Sequence, residues 1–304
     1  MNKLKNEVVK TLLYFDIFSF PLKPEEVYQF CQQQTTFAEI EEALDILLAE
    51  GLIYYESPYY TVREAAGLTE LRNKKYALST EMMKRARRNA AFISQFPFVR
   101  GVAISGSLSK YSADESADID FFIITAAQRL WVCRSFLHFF KKLTFLVGKQ
   151  HDFCMNFFLD REELLLKDKN LYTAFESISI IPVFGHQTHL AFYQKNAWAK
   201  DFFPNCNPVD KLATPLPHRH TLLKRTLESL FGGQWGQWVN QNIRKLTVKW
   251  WRQKFRRSGF EMDYFERDLR ATTGESKYHP NDYQRHILSA YEDRLKKYSL
   301  VGVE

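Results

Sequence analysis

The sequence predicts an α+β protein, a mixed sheet with helical regions at both ends, on three observations. Residues 1–62 carry three helical apolar periods followed by a short hairpin pattern. Residues 96–169 alternate strand-like runs with one long amphipathic run, and from Asn170 onward the periodicity reads as helical. The chain has 304 residues, 45% hydrophobic and 15% aromatic, enough for a packed core and for two or three domains.

The first element follows from Val8, Leu12, Leu13, Tyr14 and Ile17, which recur at helical spacing. After a turn, Pro24 opens a second helix. Thr36 and Glu39 have the spacing of a capping box for a third, which Gly51 stops. Two short strands around Ser57-Pro58 complete a helix, helix, helix, hairpin order, that of a winged helix, over residues 1–65. The third helix would be the one to enter a DNA groove. It carries Glu39, Glu41, Glu42, Asp45 and Glu50 and no Lys or Arg, so it repels phosphates. No sequence-specific DNA binding is expected from this unit; a protein-contact or intramolecular role is.

A basic connecting region follows, with a helix whose Met82, Ala86, Ala90 and Ile93 share one face while Lys84, Arg85, Arg87 and Arg88 face water. The central domain, 66–169, then reads as a strand over 98–105, a helix or tight loop after it, a strand over 119–125, an amphipathic helix over 129–146, and a strand over 151–159. Residues 170–304 read as an α-helical region. Two helices cover 171–185 and 188–203, a proline-broken connector follows, and further helices start near Leu222.

Net charge is +7, which suits a polyanionic ligand such as a nucleoside triphosphate, or nucleic acid, without choosing between them. The four cysteines show no CxxC and no metal-ligand spacing, as expected for reduced, buried thiols. No signal-peptide pattern and no apolar stretch of bilayer length is present in the sequence, so the expectation is a soluble cytoplasmic protein without a transmembrane segment.

The chemistry concentrates in GVAISGSLSKYSADESADIDFFIIT, residues 101–125. Gly106 after a strand lets the backbone approach an anion, and Ser107 adds a hydroxyl and an N–H. Asp118 and Asp120, at i and i+2 on a strand, point to one face, with Ile119 and Phe121 on the other. Two carboxylates held together repel each other unless a hard divalent cation lies between them. A solvated pair at a strand entrance is the alternative, and the apolar run FFIIT argues against it because it carries the strand into a core.

This order of Gly-Ser turn, ten-residue spacer and acidic-hydrophobic-acidic triplet resembles the signature of the DNA polymerase β-like nucleotidyltransferase superfamily. The resemblance spans about residues 80–159. It implies a nucleotidyltransferase-type mixed sheet, and transfer of a nucleoside monophosphate from an NTP to an acceptor the motif does not specify, with pyrophosphate released. It implies Mg²⁺ (or Mn²⁺) in a two-metal mechanism, with Asp118 and Asp120 as metal ligands and Gly106 and Ser107 gripping the β- and γ-phosphates. One departure is Ser105, where a bulky apolar residue is usual. Lys110 could neutralise a phosphate oxygen or be a solvated loop lysine.

The resemblance also implies a third carboxylate on the neighbouring strand. By strict alternation Asp152, Cys154, Asn156 and Phe158 share one face, with Phe153, Met155, Phe157 and Leu159 on the other. Asp152 is the candidate metal ligand and general base. The alternative is that Asp152 merely starts the strand and Asn156 holds the acidic position, which favours a catalytically silent, nucleotide-binding regulatory or interaction protein. Helices over 171–203 are expected to form the cleft's other wall, where Tyr172, Glu176 and His189 could line it. Lys277, His279 and Arg285 could reach the acceptor or phosphates if their loop folds back, and their surroundings have no zinc spacing.

Residues 244–257 hold seven basic residues, no acids and a Trp pair, a composition open to nucleic acid, an anionic membrane surface or an acidic partner. The stripe Trp235, Val239, Ile243, Leu246 and Trp250 instead predicts a buried bundle face with the cations outward.

Overall fold

The computed structural model describes residues 2–64, 66–212, 221–257, 270–277 and 283–299. Helices α1 (Asn2–Asp16), α2 (Pro24–Phe30) and α3 (Phe37–Ala49) precede the hairpin β1 (Tyr54–Glu56) and β2 (Tyr59–Thr61), the winged-helix order. Local signals set these boundaries. Pro24 occupies the first turn of α2. The Thr36 hydroxyl accepts from the Glu39 N–H, and the Glu39 carboxylate accepts from the Thr36 N–H. Gly51, at φ +68°, turns the chain out of α3. Ile40, Leu44 and Leu47 of α3 pack on Val8 and Leu12 of α1, leaving the acidic face of α3 exposed.

That core does not close on the first 65 residues. Phe175 and Ile178 of α7 (Leu171–Ser179) and Tyr291 of α11 (Tyr283–Lys297) belong to the same buried cluster. The Phe15 ring sits 5.1 Å from that of Phe175, edge to face. The N-terminal unit is thus welded to later helices, and part of that weld forms a wall of the cleft described below.

The six-stranded sheet has the order β6-β3-β4-β5-β8-β7. It is built from β3 (Val99–Ile104), β4 (Asp120–Thr125), β5 (Cys154–Asp160), β6 (Ile181–Phe184), β7 (Arg270–Ala271) and β8 (Glu275–Lys277). Only β4 and β5 run parallel. They are joined by a crossover through α6 (Leu130–Phe145), as a parallel pair requires. One sheet face, with Phe121, Ile123 and Met155, packs on α4 (Leu68–Ile93), α6 and α10 (Gly233–Arg257). The other, with Phe122, Ile124 and Leu159, packs on Phe192 and Tyr193 of α8 (His186–Lys195). Met82, Ala86, Ala90 and Ile93 are buried along α4 as their spacing predicts.

Three expectations are corrected. The helix expected over 171–185 ends at Ser179, and Ile181–Phe184 is an edge strand antiparallel to β3. Ile181 and Val183 are β-branched, and Pro182 lacks the N–H of a ladder but is tolerated at a sheet edge. Residues 270–277, expected within a helical region, supply β7 and β8. The stripe expected on α10 is buried only in part: Val239 and Ile243 are half-buried against the core, Trp235, Leu246 and Trp250 are exposed, and Gly236, Asn240, Trp251 and Phe255 are the buried residues. No helix among the described residues is long and apolar enough to cross a membrane. All four cysteines are buried free thiols.

Helix α10 is fastened by a polar contact within the apolar packing. The buried Asn240 side-chain oxygen accepts from the N–H groups of Trp131 and Val132, at 2.8 and 3.1 Å, where α6 begins. Those N–H groups have no partner within their own helix. Asn240→Ala would strand two buried donors and is expected to lower stability by about 1–3 kcal/mol in urea unfolding. A loss under about 0.5 kcal/mol would show that water reaches the end of α6.

Candidate functional site

The site is assembled where β3 ends. The Ser105 N–H donates to the Asp120 carbonyl at 3.0 Å, and Gly106 then adopts φ +66°. A Cβ on Gly106 would lie 2.4 Å from the Asp120 Oδ2, so any other residue would push that carboxylate aside. The next four residues form one short helix, α5 (Gly106–Ser109), tied by the Ser109 hydroxyl to the Gly106 carbonyl at 2.9 Å. The Ser107 carbonyl accepts from the backbone N–H groups of Lys110 and Ser112.

Downstream, Ile119 donates its N–H to the His151 carbonyl and accepts from the Cys154 N–H. These bonds extend the chain through Ile119, so Ile119 and Phe121 enter the core and Asp118 and Asp120 face a cleft, the alternation expected from the sequence. The cleft measures about 1210 Å³. That exceeds the roughly 300–1,000 Å³ of an ordinary ligand pocket. Gly106, Ser107 and Lys110 line one side, Tyr172 and Glu176 of α7 another, and Phe15 and Phe30 of the N-terminal unit a third.

Asp120 is the electrostatic centre. Burial pushes its carboxyl up to about 6; the neighbouring Cys154 thiol pulls it down, Asp118 pushes it up further, and Lys110 lowers it. Among the described residues it makes no ion pair. The Asn156 side-chain N–H₂ donates to its Oδ1 at 3.3 Å. Asp118 is more open and lies 2.5 Å, Oδ1 to Nδ1, from His151. Burial and the nearby Glu176 hold the Tyr172 hydroxyl well above the usual tyrosine range.

Lys110 is not a solvated loop residue. Its ammonium lies 2.8 Å from Glu176, donates to the Gly106 carbonyl at 3.1 Å, and sits 5.4 Å above the Phe175 ring. It therefore points its charge at the Gly-Ser turn. Lys277 also lines the cleft, whereas Arg285 on α11 does not, and His279 lies outside the described residues. His189 is fully buried, bonded to the Gly185 carbonyl, and burial lowers it to about 4; it is not part of the cleft.

Asp152 is the main correction. It sits in a one-turn 3₁₀ helix (Gln150–Asp152) before β5, its Oδ1 3.2 Å from Arg85 of α4, and it does not line the cleft. The alternation argument fails for two physical reasons. The strand begins at Cys154, so its alternation never reaches Asp152. Within β5 the register steps from Phe121↔Met155 to Phe122↔Phe157, leaving Asn156 in a bulge. The bulge puts Met155 and Phe158 on one face, Phe157 and Leu159 on the other, and turns Asn156 toward Asp120. His151, Cys154 and the Lys110–Glu176 pair are site features that sequence reading does not assign, because each depends on contacts across elements.

Among the described residues no three His, Cys, Asp or Glu side chains converge as a metal cluster. The donor set is Asp118 and Asp120, two hard oxygen ligands, and burial first and Asp118 second make the Asp120 carboxylate costly to keep charged. That set fits a divalent cation shared with the oxygens of a bound phosphate chain, and does not fit one held by the protein alone. Compared with known protein families, curated proteins and solved structures, the chain matches none.

The raised Asp120 carboxyl sets a pH-dependent test. Its native value of about 6 exceeds the unfolded 3.8, so the native state binds more protons between these values and loses stability as pH rises through that window. The full difference is at most about 3 kcal/mol. Asp120→Asn is expected to melt higher than wild type at pH 7.5, with the gap closing toward pH 4. Asp160, also near 6, titrates identically in both proteins and cancels. A gap independent of pH would show that Asp120 is not held charged at a cost.

Proposed function

We propose that this chain is a nucleotidyltransferase: it moves a nucleoside monophosphate from an NTP to an acceptor and releases pyrophosphate. The observation that carries the reading is Gly106 packed against Asp120, with Asp118 beside it on the cleft face, an anion-approach turn set against an under-compensated acidic pair. The resemblance of residues 80–159 to the DNA polymerase β-like superfamily supports it.

In this reading Ser107 and the first N–H groups of α5, which lack intrahelical acceptors, receive the phosphate chain. Lys110 adds its charge on the same side. Asp118 and Asp120 hold Mg²⁺ or Mn²⁺ jointly with the nucleotide. A metal bound there would supply positive charge to offset that of the phosphate chain. With Asp152 turned to Arg85, Glu176 takes the acceptor's proton; a triphosphate that draws Lys110 away releases this carboxylate.

A second reading has its own observation. Asn156, not an acid, stands beside Asp120 on the strand next to it, as in a silent member of the fold that binds nucleotide without turnover.

Two measurements separate these readings. Mg²⁺ with an NTP is expected to raise the melting temperature of wild type and not of the folded Asp118→Asn/Asp120→Asn double variant; an unchanged rise in the variant would remove the site. Screened against cell lysate fractions as acceptor source, wild type is expected to release pyrophosphate, and Asp152→Asn to match it. Glu176→Gln is expected to lose about 100-fold or more while keeping the NTP-dependent melting shift. A melting shift without pyrophosphate release in any fraction would select the silent reading.

A further inference from the structure

Helix α10 has a second face that the cleft does not explain. Trp235, Trp238, Leu246 and Trp250 are 57%, 58%, 67% and 58% exposed. At 3.6 residues per turn they fall along one side, opposite the buried Asn240, Trp251 and Phe255. The Trp235 and Trp238 rings stack on each other at 5.1 Å. Three tryptophans exposed along one helix are rare on a surface that meets only water.

Charge on this helix is of one sign. Gly233–Arg257 contains seven Lys and Arg and no Asp or Glu, and Lys245 and Lys249 are exposed among the tryptophans. Leu246, 67% exposed, lies within the same face as the tryptophans; the preceding helix α9 (Leu222–Leu230) also exposes Leu222 and Leu223.

We propose that this face docks on an anionic lipid surface. Tryptophan rings interleaved with lysines are the chemistry of the membrane interface, where the ring lies at headgroup depth and the ammonium meets lipid phosphate. The charge complementarity is with a polyanion, which disfavours a second copy, since a two-fold contact would bring like charges together. Between polyanions, the aliphatic exposure decides. Bases stack on tryptophan, but Leu246 exposed among the rings gains nothing from a nucleic acid strand and does gain from an acyl boundary. Docking holds the protein at the surface without spanning it, and it does not depend on the nucleotidyl-transfer reading.

The full-length protein is incubated with vesicles of phosphatidylcholine alone, or with one third phosphatidylserine, and sedimented. Binding is expected only to the anionic vesicles and is expected to weaken with salt. Lys245→Gln/Lys249→Gln is expected to lower partitioning at least tenfold, at roughly fivefold per cation. Trp235→Ser/Trp238→Ser/Trp250→Ser is expected to abolish quenching of tryptophan fluorescence by brominated lipid, with circular dichroism confirming that both variants fold. The proposal is overturned by no binding or by equal binding to neutral vesicles. It is equally overturned by a single-stranded oligonucleotide that binds these residues and displaces the vesicles, or by a dimer in solution that the tryptophan variant dissociates.

Discussion

The absence of a side chain at Gly106 is the constraint around which the site is built. The carboxylate of Asp120 fills the space a Cβ would take, 2.4 Å from its position, and the Ser105 N–H fixes the strand pair at that point. Because β4 starts at Asp120, the same contact sets which residues of β4 enter the core. Phe121 and Ile123 go to one face and Phe122 and Ile124 to the other, and both faces are covered by helices. Moving the turn by one residue would invert every side chain on the strand.

The packing that makes the turn possible also makes it electrostatically incomplete. Asp120 is enclosed beside Asp118 and Glu176, and the ammonium of Lys110, which acts on it, is held by Glu176. A fold whose only task was stability would gain by replacing such a group with a neutral one. Retaining a carboxyl pushed up to about 6 is the kind of local cost that accompanies function. The N-terminal helices contribute here through packing, since Phe15 and Phe30 meet Phe175 on the helix that carries Glu176. The winged-helix unit is in this sense a wall of the cleft, with its acidic third helix turned to water.

Helix α10 shows the same separation of roles. Trp251, Phe255 and Asn240 anchor it to the sheet face and to the start of α6, which leaves the remaining tryptophans outward. Adjacent tryptophans at 250 and 251 therefore have opposite environments, one 58% and the other 2% exposed. Hydrophobicity alone could not assign them, because both sides of the helix carry apolar residues and only the neighbour that arrives decides which is covered.

Local signals carried much of this protein. Apolar spacing placed α1, caps and turn residues placed α2, α3 and their hairpin, strand alternation placed Asp118 and Asp120 on one face, and the glycine after β3 marked the turn. Each is a property of a few consecutive residues acting through backbone sterics and hydrogen bonding, so each can be read without knowing the neighbours. What tertiary structure alone decided are contacts between distant segments. Pro182 became a strand because an edge position beside β3 was open to it. Asp152 turned to Arg85 and Asn156 to Asp120 because β5 starts late and bulges against β4. Lys110 met Glu176, 66 positions away, because α7 packs across the turn. Alternation along a strand is a local rule, but where the strand begins and where it bulges are set by the partner it pairs with.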